Sequence, residues 1–416
     1  MRNWKKGSLH CHSMWSDGRA LPEVAVKTYQ NAGYDFVCLS DHNVFQEDPE
    51  VWIQVRGEEG AWPPMLSAKE YQRSCEMLPG SIIEKQISYK KYIRLKTFRE
   101  LKDEFEVPGK FLLVPGLELT GSGESFGCPG RVHAIHCNIF NAAKTLLPPT
   151  GGTDKEYLQK MLDLYHSVER KDSFFMLNHP WYNVWDADPR LLIGFPEITL
   201  FEICNSGTGS MPEDWICNRE KYWDFVLAHR LANGDPVLYG TASDDAHFYD
   251  PERLMLPAAV ETGFVVVDCP GELTAANLCA AIKAGDFYSS CGVMLDDVEF
   301  SAESGTLNVQ VKAEPGVQYR IDFISTAKDF DRTMEVKEFP HENEIFNRTR
   351  PVIPAGIGEV VSSVNGTSAS YTLKENDLYV RAIITSDRET RLKTNFYPAL
   401  QCAWTQPFII KKLCST

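Results

Sequence analysis

The chain has 416 residues, of which 43% are hydrophobic and 24% charged, the balance of a globular fold. That length exceeds one ordinary core and predicts a large α/β unit with a smaller domain beside it. A formal net charge of −15 argues against sequence-independent binding of duplex nucleic acid or of an anionic membrane surface.

The N-terminal MRNWKKGSLHCHS has no apolar h-region, and no run approaches the roughly 18 apolar residues of a membrane span, so a cytoplasmic location is expected. The chain's 12 cysteines form no C-x-x-C pair, and several lie in apolar runs, as expected of reduced, buried thiols.

The first informative stretch is LHCHSMWSDG, Leu9–Gly18. On a strand, His10 and His12 would point to one side and could share a ligand. In ALPEVAVKTYQNAGYD, Leu21, Val24, Ala25 and Thr28 recur with helical spacing, Pro22 suits the helix start and Gly33 its end. DFVCLS (Asp35–Ser40) reads as a buried strand running into Asp41-His42-Asn43.

Residues 45–109 then interrupt the pattern and are too many for a βα connection. Within them, Ser81–Glu106 reads as a charged helical stretch whose seven basic and five acidic residues favour a solvated face over a nucleic-acid patch, with an active-site lid as the other reading. Apolar runs resume at Phe111–Gly116, Val132–Phe140, Ser173–Asn178, Ile198–Cys204 and Pro236–Thr241, separated in several places by helical patterns. Repeated βα units of this kind predict a parallel sheet, closed or doubly wound.

Past Gly292 the period changes from 3.6 to 2, as in Leu307, Val309, Val311 and Ala313. Short alternating runs between turn residues predict a small antiparallel β-sandwich over 293–416, following a larger unit over 1–292.

Most histidines and several acids fall at or just after the expected strand ends, the rim where α/β barrels assemble their chemistry. They are His10, His12, Asp17, His42, Glu118, His133, His179, Asp245 and His247. Imidazole and carboxylate together suit Mn, Fe or Zn, and nine such groups suit two or three divalent ions. Three ions against the charges of Asp17, Glu118 and Asp245 would leave the pocket at about +3, attractive to phosphate. In RVHAIHCN, His133 and His136 would face opposite sides of a regular strand, so one of the two is the ligand; His133 is favoured and His136 is the alternative. Arg131, Glu202 and Asn205 are assigned to substrate contact at the rim; turn or packing roles are the other reading.

Five motifs occur in order: H-x-H-S-x-x-S-D-G (His10–Gly18), G-x-D-F-x-x-x-S-D-H-N (Gly33–Asn43), P-G-x-E (Pro115–Glu118), N-H-P (Asn178–Pro180) and S-D-D-A-H (Ser243–His247). Over roughly residues 7–290 the chain resembles the PHP (polymerase and histidinol phosphatase) superfamily. The resemblance implies a distorted seven-stranded TIM-like β/α barrel with a trinuclear centre. By position, His10, His12, Glu118 and Asp245 would hold one metal, Glu118, His133 and His179 a second, and Asp17, His42 and His247 a third. The insertion and the C-terminal β domain depart from the compact family pattern.

The function expected is hydrolysis of a phosphate ester, whether a monoester or a small or cyclic diester, by a metal-activated water. The alternatives are a metal-dependent hydrolase of a non-phosphate ester, amide or carbamate, and a binding protein working through its β domain. The expected partner is a small anionic phosphate-containing substrate, with no duplex nucleic acid and no membrane; a homo-oligomer through the β domain is compatible with the pattern.

Overall fold

A computed structural model describes residues 2–56, 66–124, 132–180, 187–207, 219–253, 258–339, 348–392 and 397–410. The first part of the chain contains β1 (Trp4–Ser8), α1 (Pro22–Asn31), β2 (Phe36–Leu39), β3 (Trp52–Arg56), β4 (Leu66–Ser67), α2 (Ala68–Met77), β5 (Glu84–Ile87), β6 (Lys90–Arg94) and α3 (Phe98–Phe105). It continues through β7 (Leu112–Glu124), β8 (Val132–Phe140), α4 (Asp154–His166), β9 (Phe174–Leu177), α5 (Pro189–Gly194), β10 (Leu200–Asn205), α6 (Arg219–Asn233) and β11 (Tyr239–Ser243). Then come β12 (Phe264–Asp268), α7 (Ala275–Ala284), β13 (Phe287–Ser290), β14 (Leu295–Ser301), β15 (Thr306–Val311) and β16 (Tyr319–Ser325). The last strands are β17 (Val336–Phe339), β18 (Arg348–Pro351), β19 (Glu359–Asn365), β20 (Ser368–Thr372), β21 (Arg381–Glu389) and β22 (Leu400–Thr405).

The architecture is mixed α/β, organised on one irregular 13-stranded sheet in the order β11-β10-β9-β8-β7-β2-β1-β12-β13-β22-β21-β16-β19. The βα repeats predict parallel pairing, which holds for β1–β2, β2–β7, β9–β10 and β10–β11. It fails at β8, which is antiparallel to both β7 and β9. The reason is the length of β7: the strand does not stop at Gly116 but continues to Glu124, and the chain returns along it, pairing Gly116 with Phe140 and Glu124 with Val132. An antiparallel pair needs no crossover helix.

The edge of β11 is met by side chains rather than by another strand. Ser289 Oγ on β13 donates to the Gly240 carbonyl at 2.7 Å, and Gln406 receives the Gly240 N–H at 2.9 Å while donating back to its carbonyl at 2.9 Å. Those bonds satisfy backbone groups that an open edge would leave exposed.

Residues 45–109 hold their own four-stranded sheet, in the order β4-β3-β6-β5. The stretch read as helical from Ser81 is a hairpin followed by a short helix. Ile87 pairs with Lys90 around Ser88-Tyr89, and Ser88 takes a φ of 56°. Thr97 and Glu100 form a capping box that starts α3 only at Phe98. The insertion is pinned to the body by Trp15 Nε1 donating to the Lys96 carbonyl at 2.9 Å and by Gln46 Nε2 donating to Asp41 at 2.8 Å.

The C-terminal strands β22, β21, β16 and β19 continue the large sheet beyond β13, while β14, β15 and β20 form a separate three-stranded sheet. A buried ion pair secures the junction: Arg381 donates to both oxygens of Asp224 on α6 at 2.8 and 2.6 Å, and Tyr379 Oη donates to Asp224 at 2.7 Å. Among the described residues no helix is long and apolar enough to cross a membrane.

Candidate metal centre

The centre forms where the chain leaves the ends of β1, β2, β9, β10 and β11, together with residues carried on β7 and β8. His10 and His12 follow β1, and Cys11 between them bridges Ala246 in parallel register, which brings the Asp245–His247 segment alongside. His42 follows β2 and bridges Glu118 of β7 in the same way. Two glycines permit the crowding. A Cβ on Gly18 would lie 2.5 Å from the His12 backbone, and one on Gly207 would lie 2.6 Å from Asp245 Oδ2. Asp245 itself adopts a φ of 49°, a conformation rare for residues other than glycine, asparagine and aspartate.

The side chains converge tightly. Nε2 of His10 lies 3.1 Å from Nε2 of His12, 3.3 Å from Glu118 Oε1 and 3.3 Å from Asp245 Oδ1. Nε2 of His12 lies 3.0 Å from Asp245 Oδ1 and 3.3 Å from Glu118 Oε2. His42 spans two carboxylates, with Nδ1 2.8 Å from Glu118 Oε2 and Nε2 3.5 Å from Asp17 Oδ2. Nε2 of His247 is 3.2 Å from Asp17 Oδ1, and Nε2 of His179 is 3.5 Å from Glu118 Oε1.

From RVHAIHCN the structure brings His136 to the centre, its Nδ1 3.2 Å from Glu118 Oε1. The side chain of His133 and all of Arg131 lie outside the described residues; the His133 backbone pairs with Gly123.

Three groups bring their ligand atoms within 4.8 Å of one another: His12, Asp17, His42 and His247; His10, His12 and Glu118; and His42, Glu118 and His136. His12, His42 and Glu118 each belong to two groups, so the donor set suits several neighbouring divalent cations better than one.

The protonation pattern points the same way. Glu202 Oε1 lies 2.8 Å from His10 Nδ1, and the Asp245 carbonyl lies 2.8 Å from His247 Nδ1. Each acceptor fixes a proton on Nδ1 and leaves the Nε2 lone pair aimed inward at carboxylate oxygens. Two carboxylate oxygens in this space, Asp245 Oδ1 beside His10 and His12 and Glu118 Oε2 beside His12 and His42, are buried and receive no directed hydrogen bond. Lone pairs facing lone pairs in a buried space call for a positive charge between them.

With no cation bound, protons must supply that charge. Burial alone would lower His10, but Asp245, Glu118 and Glu202 outweigh it and hold the imidazole well above its usual value. Burial and the charge of His42 oppose protonation of His12, yet the carboxylates of Asp245 and Glu118 beside it raise it to about 9. Burial would raise Glu118 and Asp245, and the surrounding histidines instead hold both well below the carboxylate range. His136 moves the other way, lowered chiefly by burial.

Supporting groups complete the arrangement. Asp41 is buried, and its two oxygens accept from the Ser13 amide at 2.7 Å, Ser16 Oγ at 2.7 Å, Ser13 Oγ at 2.8 Å and Gln46 Nε2, clamping the loop that carries Asp17. Burial raises Asp244 to about 7, with Tyr29, the Glu261 amide and Ser8 as its donors.

Glu202 and Asn205, assigned from the sequence to substrate contact, are fully buried behind the histidines. Glu202 accepts from the His179 amide at 2.9 Å and from Asn205 Nδ2 at 2.7 Å, besides its bonds to His10 and Ser243. Sequence reasoning missed Thr120, whose Oγ1 is 2.5 Å from His42 Nδ1, and the role of Asn178, which donates to Glu118 Oε1 at 2.8 Å. Thr120 lies two residues after Glu118 on the same strand, so period-2 alternation places both on one face.

Burial also shows where the centre opens. His10 and His12 are closed off, whereas His42, Asp17 and His247 expose 21, 22 and 20% of their side chains, so solvent reaches the cluster from that side.

No protein-family model matches the chain, and no curated protein matches it. Among solved structures, it is similar to a two-domain protein from Bacteroides vulgatus containing a predicted PHP-like metal-dependent phosphoesterase. The TM-score is 0.41 at 14% identity, over 98% of this chain and 96% of that one. A protein from Bifidobacterium adolescentis named as a candidate metal-dependent phosphoesterase gives 0.30 at 11% identity, over 59% of this chain and 89% of that one. These likenesses are distant, and the chemistry is read from the site itself.

Proposed function

We propose that the protein is a metal-dependent hydrolase of phosphate esters with a trinuclear centre in a PHP-type barrel. The observation that carries the reading is the convergence of Nε2 of His10 and of His12 on Asp245 Oδ1, and of His12 and His42 on Glu118 Oε2, two buried carboxylate oxygens that receive no directed hydrogen bond. His10, His12, Glu118 and Asp245 would hold one cation, Glu118, His136 and His179 a second, and Asp17, His42 and His247 a third. When bound, such ions activate water and neutralise charge on a phosphoryl group.

The protein's own part is positioning. Glu202 and the Asp245 carbonyl fix the histidine tautomers. Asn178 and Thr120 orient Glu118 and His42. The anionic group approaches over Asp17, His42 and His247, where the wall is open. Three divalent ions against the four carboxylates of Asp17, Glu118, Asp245 and Glu202 would leave a net charge of about +2 that favours a phosphate over a neutral ester.

The test is product release from a panel of phosphomonoesters and cyclic and linear phosphodiesters by manganese-loaded protein, with His42→Ala beside it. Turnover that falls by orders of magnitude in the variant supports the reading. Turnover of neutral esters alone, or an equally active variant, overturns it.

A further inference from the structure

We propose that Asn43 is a positioning residue of the centre: its side-chain amide stands in for the next peptide of β2 and holds His42 in register with Glu118 and Thr120. This rests on the metal-centre part of the reading above and does not depend on which ester is hydrolysed. Asn43 ends the second sequence motif, directly after His42.

The backbone bonds show what the amide replaces. β2 and β7 pair in parallel as far as Leu39 and Pro115, and the same register runs on past the end of β2. The Glu118 amide donates to the Asp41 carbonyl at 3.2 Å, and the Asn43 amide donates to the Glu118 carbonyl at 2.9 Å. A parallel ladder would next join the Thr120 amide to the Asn43 carbonyl, and the Phe45 amide to the Thr120 carbonyl. The chain instead turns off at Asn43, which has a φ of 54°, and the Phe45 amide donates to Thr145 Oγ1 at 3.0 Å. The Asn43 side chain fills both vacated places. Its Oδ1 accepts the Thr120 amide at 2.8 Å, and its Nδ2 donates to the Thr120 carbonyl at 3.0 Å.

Asparagine suits the position for two reasons. It tolerates the left-handed backbone better than most residues other than glycine. Its planar amide also offers a donor and an acceptor together, whereas an ionised aspartate offers acceptors alone. What depends on the bridge is His42. Nδ1 of His42 lies 2.5 Å from Thr120 Oγ1 and 2.8 Å from Glu118 Oε2, so both partners of that nitrogen come from the segment that Asn43 grips. Thr120 in turn stands opposite His136 on β8. His42 belongs to the ligand group with His12, Asp17 and His247 and to the one with Glu118 and His136. Without the side-chain bridge, the backbone tie just beyond His42 falls to the Asn43–Glu118 bond.

The experiment titrates manganese by calorimetry into chelator-stripped, full-length wild type, Asn43→Gly and Asn43→Asp, with the Tm of each stripped protein alongside. Asn43→Gly keeps the left-handed backbone and deletes both bonds. Asn43→Asp keeps the acceptor and sets a carboxylate oxygen against the Thr120 carbonyl. Both variants should weaken one class of manganese site by about tenfold or more while another class keeps its affinity. A merely structural role would not give that split, because general loosening weakens every class together. Wild-type affinity at every site in either variant, or weakening of all classes in step with a fall in Tm, overturns the role of Asn43 alone. A wild-type protein that binds no manganese overturns the metal centre, and the role of Asn43 with it.

Discussion

Nε2 of His10 stands 3.1 Å from Nε2 of His12, while Glu202 holds the opposite nitrogen of His10 at 2.8 Å. The tautomer that Glu202 imposes leaves a lone pair facing the second ring, and a buried pair of this kind is stable only with a proton or a cation between. Metal binding and protonation therefore compete for one space.

The first prediction follows from that competition. His12 lies at about 9 in the cation-free protein, and His10 and His42 are also raised, so binding must expel protons near neutral pH. Titration calorimetry of manganese in buffers of different ionisation enthalpy should show release of at least one proton, with affinity climbing as pH rises. The sign for stability is opposite. An imidazole raised from 6.5 to about 9 stabilises the folded chain fully below 6.5 and loses that contribution as pH climbs through 9. Chelator-treated protein should accordingly lose Tm between those values, and metal-loaded protein should not. Binding without proton release would contradict this account.

Glu202 gives a second prediction. It is buried and joins His10, the His179 amide, Asn205 and Ser243. Glu202→Gln keeps the shape and removes the charge that makes His10 a stronger donor. Manganese affinity should fall about 10–100-fold, the range seen when such supporting groups are changed. Near-native circular dichroism with weakened binding in a calorimeter supports the positioning role; unchanged affinity counts against it.

Much of this was legible in the sequence because strand ends carry a local mark. FVCL (Phe36–Leu39) is wholly apolar just before Ser40-Asp41-His42, and the run that ends in PVLYGT meets Asp244-Asp245, so the rim shows as a change of residue type. His10 and His12, two residues apart, do converge. Strand direction carries no such mark. FLLVPG and VHAIHCNIF look alike whether parallel or antiparallel, and only the uninterrupted extension of β7 to Glu124 makes a hairpin. The helical reading of Ser81–Glu106 failed because lysines and glutamates tolerate both periods, and the turn at Ser88 decided it. Pairing between β13 and β22, more than a hundred residues apart, has no local signal at all.

Arg381 supplies a third prediction. Its side chain is fully buried, pairs with Asp224 and packs 4.8 Å from the Trp223 ring centroid. Arg381→Met would leave Asp224 charged in the interior with Tyr379 as its remaining donor, at a cost of about 3–5 kcal/mol. Urea denaturation should show that loss as a lower midpoint. Removing residues 293–416 strips β22 from β13 and should give an aggregating chain. A soluble, cooperatively folding 1–292 fragment would show that the modules are independent.

The last prediction separates two histidines of one strand. His136 Nδ1 stands 3.2 Å from Glu118 Oε1, and His136 shares a ligand group with His42 and Glu118. Burial holds its imidazole below the usual value, so it is neutral and ready to donate a lone pair without first losing a proton. His136→Ala should therefore lower the number of manganese ions retained after gel filtration by about one and reduce phosphatase turnover by at least tenfold. His133→Ala, three residues earlier in a sequence whose period-2 alternation predicts the other face, should retain the full metal content. The reverse result would assign the second cation to His133, as the sequence pattern first implied. Equal loss in both variants would instead mean that the hairpin of β7 and β8, rather than one ligand, was disturbed; Tm measured alongside would show it as a drop common to both.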